Sequence, residues 1–134
     1  MRRLVAEARV GRLVTVDPDG RPNPVPFVFA LDRDLLVSAV DRKPKTTRSL
    51  RRLANIEERP QVSILVDHYA EDWEALWWVR LRGRARVAEE GPDRERAVRL
   101  LAEKYRQYRG QPPGGPAILV EIEGWKGWSA RPIE

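Results

Sequence analysis

The sequence predicts a mainly β, α+β domain in which six antiparallel strands, joined by turns and short helices, roll into a small closed or split barrel. Three observations carry this. Six apolar runs of strand length recur along the chain. Turn signals separate the first three of them, as in a meander. Helical spacing is confined to short connecting segments. With 134 residues the chain fits one domain, 1–134, large enough for a real core and too small for two.

The elements follow in order. Leu4 to Arg9 reads as a short amphipathic helix and Gly11 to Val16 as an alternating strand. Asp17 to Gly20, DPDG, is a turn: proline presets φ and glycine accepts positive φ. Asn23 to Leu31 reads as one second strand, and Pro24 and Pro26 confine it to an edge or bulge because neither can donate to a ladder. LLVSAV, Leu35 to Val40, is the third strand. Thr46 to Glu58 fits a helix that Thr46 or Thr47 can cap, with Leu50, Leu53, Ala54 and Glu57 at helical spacing and Ile56 nearby. QVSILVDHY is a buried strand, and LWWVRLRGRARVAE is a long one with Gly83 as a bulge or bend. Pro92 to Tyr108 is a further helix, with Ala97, Leu100, Leu101 and Tyr105 facing inward. The loop GQPPGGP leads to a last strand, AILVEIEGW, and the tail KGWSARPIE.

Composition removes several function classes. Without cysteine there is no disulfide framework, no thiol catalysis and no thiolate zinc site. The one histidine, His68, cannot alone build a triad or a histidine-rich metal cage. Glu7, Arg9 and Arg12 break the N-terminal apolar stretch, so no signal-peptide core forms, and no run approaches a membrane span. The expectation is a cytoplasmic protein without a membrane partner. A net charge of +5 favours an anionic partner.

The segment Arg42 to Arg48, RKPKTTR, concentrates that charge where a strand hands over to a helix. Of 25 cations only four are lysines, and Lys43 and Lys45 are two of them. A compact ammonium suits a phosphate met as a point charge. A loop entering a helix adds unpaired N–H groups and the positive end of the dipole, while Thr46 and Thr47 add hydroxyls. These residues fit a phosphate seat, and equally a solvated basic turn with a threonine cap. Five tryptophans are the second notable feature. Adjacent Trp77 and Trp78 point to opposite faces of one strand, so one fills the barrel and the other covers a ligand groove or a subunit interface. No paired-carboxylate, Ser/His/Asp or metal-ligand spacing is present, so any redox chemistry must come from a bound cofactor.

The sequence resembles the pyridoxamine 5′-phosphate oxidase-like flavin and deazaflavin oxidoreductases, split β-barrels of the FMN-binding type. The resemblance runs through GRLVTVDPDGRPNPVPFVFAL, KPKTTRSLRRLANIEERPQVSILVDHY, WWVRLRGRARV and GWKGWSA, and is closest to the branch dependent on the deazaflavin coenzyme F420. It implies a homodimer with two cofactor sites, for F420 or FMN, at the subunit interface, and a small-molecule substrate. It implies that Lys43, Lys45 and Thr46, with Thr47 and Arg48, hold the cofactor phosphate. Val25, Pro26 and Phe27 would run their backbone along the ring system, and Trp78 and Trp128 would close the pocket. It does not extend to pyridoxamine phosphate as substrate, because NPVPFVFALD and GWSARPIE depart from the arginine-led strand and arginine-bearing tail of the true oxidases.

Three functional readings stand side by side. The first is a hydride-transferring oxidoreductase, and the second a barrel that binds or stores the cofactor without turnover. The third, a nucleic-acid-binding barrel, needs cations and aromatics interleaved on one exposed strand face. The densest cations, Arg48 to Arg59, are expected on a helix and the aromatics elsewhere, so no nucleic-acid partner is expected.

Overall fold

The computed structural model describes residues 1–40 and 47–132, without the side chains of 47–50. Its elements are α1 (Arg2–Glu7), β1 (Gly11–Val16), β2 (Pro22–Phe27), β3 (Ala30–Asp32), β4 (Leu35–Ala39), α2 (Thr47–Glu58), β5 (Gln61–His68), a 3-10 turn (Trp73–Ala75), β6 (Trp77–Ala88), α3 (Pro92–Lys104), α4 (Gln107–Gly110) and β7 (Ala117–Ser129). The strands form one antiparallel sheet in the order β2-β1-β5-β6-β7-β4-β3. It is seven-stranded rather than six-stranded, and its two edges, β2 and β3, do not pair, so the barrel is split.

The extra strand comes from a break in the expected second one. At Phe29 the backbone leaves the ladder: its N–H donates to the Tyr105 hydroxyl at 3.2 Å, and its carbonyl accepts from that hydroxyl at 3.0 Å and from Lys104 Nζ at 2.9 Å. The Val28 carbonyl accepts from Ser38 Oγ at 2.7 Å. Side chains of α3 and β4 thus satisfy backbone groups that a continuous strand would have paired. The chain crosses to the far edge of the sheet, where β3 pairs with β4. Tyr105 is buried, so Tyr105→Phe leaves the Phe29 N–H without its partner. An expected loss of about 2 kcal/mol follows, read as a lower urea midpoint at unchanged m.

Two cores flank the sheet. Inside the barrel, Leu13, Ile64, Leu81 and Val120 from the strands meet Leu53 and Ile56 of α2. Outside it, Ala97 and Leu101 of α3, with Tyr105 just past its end, cover Leu35, Val37 and Leu119. The inward set predicted for α3 is present, with Leu100 packed at its margin. On α2 the buried stripe is Leu53, Asn55 and Ile56, whereas Ala54 and Glu57 face solvent. The expected helix Pro92 to Tyr108 ends at Lys104 and resumes as the short α4.

Expected local features recur in place. Arg82 and Gly83 mark a register shift between β6 and β7. Gly20 closes the first hairpin with φ at +82°. Pro22, Pro24 and Pro26 alternate along β2, which is an edge strand. Because proline cannot donate, the ladder to β1 rests on the residues between them.

Candidate functional site

Cross-strand register places alternate residues of β2, β1, β5, β6 and β7 on one outer face. One row across it runs Pro26, Arg12, Leu65, Arg80, Lys126. A second runs Pro24, Val14, Ser63, Arg82, Gly124. A third holds Asp67, Trp78 and Trp128. Leu13, Ile64, Leu81 and their like point to the core, so the outward set on β6 is the arginine series Arg80, Arg82, Arg84, Arg86. The aromatics thus form one row at the end of this face and the cations the rows beside it, a cationic strand surface that the sequence reading, which located cation density on the helix, did not register.

A groove of about 560 Å³ lies in this face, lined by Val14, Leu65, Asp67, Tyr69, Trp78 and Arg80. Its walls are unusually apolar for a surface: Leu65 is 37% and Tyr69 68% exposed. Trp77, one residue from Trp78, turns the other way and packs against the barrel core, as the alternation of a strand requires. Arg12 stands 3.9 Å from Asp67, a long pair at the groove rim.

A second cleft, of about 400 Å³, opens where α2 meets β1 and β2, among Thr15, Asn23, Val25, Arg51, Arg52 and Asn55. Asn55 is fully packed and donates to Thr15 Oγ1 at 3.1 Å, fixing the floor. Arg52 Nε is buried and has no hydrogen-bond partner among the described residues. Burial also pushes its guanidinium below the ordinary arginine value. A half-buried cation with an orphaned donor needs an acceptor, and an anionic oxygen entering the cleft supplies one.

The expected site residues divide. Pro26, Trp78 and Trp128 share the outer face. Val25 lines the α2 cleft beside Arg51 and Arg52, while the Phe27 ring is buried against Phe29 at 5.4 Å, leaving only its backbone near a ligand. Lys43, Lys45 and Thr46 lie outside the described residues. Thr47 and Arg48 are described only as the backbone of the first turn of α2. Arg51, Arg52, Asn55 and Thr15 were not singled out. For Arg51, Arg52 and Asn55 the available signal was their position one to two turns beyond the basic loop, on the helix it enters. His68 is exposed at the end of β5, opposite Trp77. Among the described residues no cluster of three potential metal ligands occurs, and no helix is long and apolar enough to cross a membrane.

An open antiparallel barrel plugged by one helix, with an anion-ready cleft and a cationic, aromatic outer face, defines a split-barrel protein. The chain belongs to the pyridoxamine 5′-phosphate oxidase family, whose model matches residues 1–129. Solved structures agree on the fold. A conserved hypothetical protein of Mycobacterium tuberculosis superposes with a TM-score of 0.77 at 20% identity, covering 96% of this chain and 82% of that one. The haem storage protein HutZ of Vibrio cholerae gives 0.71 at 20%, covering 96% and 90%. An FAD-binding protein of Mesorhizobium loti gives 0.60 at 20%, covering 94% and 87%. No curated protein matches the sequence.

Proposed function

We propose that this protein is a flavin- or deazaflavin-dependent oxidoreductase that works as a homodimer, with F420 preferred over FMN. The observation that carries the reading is the α2 cleft, where the orphaned Arg52 Nε and neighbouring Arg51 await an anionic oxygen. Thr15 and Asn55 floor that cleft, and Lys43, Lys45, Thr46, Thr47 and Arg48 precede it in the chain. Family membership and the resemblance to the F420 branch supply the cofactor class.

When bound, such a coenzyme supplies two-electron hydride transfer. The chain's own residues hold its phosphate, align its ring and keep water out, which is the work hydride transfer asks of a protein. Val25 and Pro26 present backbone at the open edge of the sheet. Trp78 and Trp128 offer a flat apolar wall, and in a dimer this wall belongs to the neighbouring subunit's pocket. The outer face also argues for an anion between the subunits. Two copies meeting through Arg12, Arg80, Arg82 and Lys126 would set like charges against each other, and a phosphate- and carboxylate-bearing coenzyme offsets them.

The test is titration of purified protein with F420 and FMN, followed by fluorescence. Dissociation at about 1 μM for one of them is expected, and failure of both to bind overturns the reading. Lys45→Ala is expected to weaken that binding about ten-fold or more, the scale of a lost charge-assisted contact of ~1.5–3 kcal/mol, with an unchanged melting temperature. A collapse in melting temperature at unchanged affinity makes Lys45 structural.

A second reading, cofactor binding or storage without turnover, is favoured by one observation. Among the described groove and cleft residues the only carboxylate is Asp67, already facing Arg12, and no acid–base pair is formed there. The likeness to a haem storage protein is consistent with it. Turnover of any substrate by protein loaded with reduced cofactor decides against it.

A further inference from the structure

The opposite side of the molecule holds a cavity that neither the sheet face nor the α2 cleft explains. It has about 430 Å³ and lies among Arg9, Val10, Val28, Tyr105, Gln107 and Tyr108, where the break in the second strand meets the end of α3. One cation, Arg9, lines it, and a second, Lys104, stands behind the Tyr105 wall. The Arg9 guanidinium stands 4.7 Å from the centre of the Tyr105 ring, and Lys104 Nζ stands 5.1 Å from the same ring and 4.0 Å from that of Phe29.

We propose that this cavity is a second ligand site, taking a small apolar monocarboxylate whose carboxylate pairs with Arg9 in the field of Lys104. Neither cation has a carboxylate within ion-pair distance among the described residues. Arg9 spends one donor on the Lys104 carbonyl at 3.3 Å, and Lys104 Nζ donates to the Phe29 carbonyl. Among the described residues the rest of the guanidinium fork has no other acceptor, which leaves it to a planar, two-oxygen anion. Elsewhere several arginines are matched by acids: Arg86 faces Asp93 and Glu121, Arg96 faces Asp32, and Arg2 faces Asp34. Here two like charges sit together unbalanced. Burial, together with Arg9, pushes the Lys104 ammonium down to about 8, which is what a cation lacking its anion shows.

The walls select the rest of the ligand. Val10, exposed beside this cavity, and Val28 are aliphatic, and the Tyr105 and Tyr108 rings meet edge to face at 6.1 Å. A ring or short alkyl body stacks against them, while a strongly polar one would be desolvated without partners. The size suits a benzoate-sized molecule rather than a dinucleotide.

Benzoate titrated into the intact protein, followed through the methyl signals of Val10 and Val28, is expected to saturate with a dissociation constant of about 1 mM or below. Benzyl alcohol, equal in shape and uncharged, is expected to bind at least about ten-fold more weakly. Arg9→Met and Lys104→Met should each weaken benzoate about ten-fold, and Arg99→Met, on the exposed side of α3, should leave it unchanged. Arg9 is exposed, so its variant keeps the test valid if Lys104→Met fails to fold. Equal binding of acid and alcohol, equal binding by Arg9→Met, or no saturation at these two valines overturns the proposal.

Discussion

Gly83→Ala is expected to cost about 3 kcal/mol, a substantial share of the stability of a domain this size. A Cβ built at Gly83 lies 2.4 Å from the Glu121 carbonyl oxygen and 2.7 Å from Val120 Cγ1. The first of these is backbone and cannot rotate aside. It belongs to the β6–β7 ladder, which runs from Trp77 opposite Ser129 to Ala88 opposite Ala117 and joins the two halves of the sheet. Relief would require opening that ladder at its register shift, beside the core residues Leu81, Ala85 and Val120. Gly124→Ala is the internal control. Gly124 lies opposite Arg82 in the same pair of strands, yet a Cβ there meets nothing within 4 Å. Urea midpoints should separate the two variants clearly; equal midpoints would mean that the ladder yields more easily than its geometry implies.

For the homodimer and cofactor proposed above, Trp78→Ala is expected to raise the dimer dissociation constant about 100-fold and to weaken cofactor binding in parallel. That is the scale of about 2.7 kcal/mol for an aromatic anchor at the centre of an interface. Trp78 sits in register with Trp128 on one side and Asp67 on the other, over a groove that also contains Leu65 and Val14. Truncation removes the largest flat apolar surface of that groove without touching the core, which Trp77 serves instead. Sedimentation equilibrium read against cofactor titration distinguishes the cases. Loss of cofactor alone assigns Trp78 to the pocket, and loss of neither removes the outer face from the functional proposal.

How far the sequence determined this picture depends on the range of the interactions involved. β1, β5 and β6 were legible because alternation or continuous apolarity is a local property. The bulge at Gly83 was legible because glycine in a long strand has few other uses. The split of the second strand into β2 and β3 was not. Its cause, the capture of the Phe29 backbone by Tyr105 and Lys104, lies over 70 residues away in the chain. The buried stripe of α2 shifted because the helix plugs a barrel mouth where Thr15 receives Asn55, a polar contact that hydrophobic spacing cannot announce. The rows of the outer face needed the register of five strands. Even so, Arg80, Arg82, Arg84 and Arg86 at two-residue spacing were a visible sign that one side of β6 is cationic. Of the fold around the candidate site, the edge strand and the opposite facing of the two adjacent tryptophans were legible. The Arg51–Arg52 cleft was not, since helix arginines read as solvated until packing buries one of them.

The proline-studded margin at Pro22, Pro24 and Pro26 governs how copies of this molecule can meet. Every second residue along that rim offers an oxygen but no hydrogen, so an incoming chain finds no zipper to continue. The opposite rim, Ala30–Asp32, is three residues long and gives scarcely more purchase. Fibrillar growth by end-on accretion is thereby discouraged at both borders, and self-recognition is left to broad surfaces pressed flat against each other.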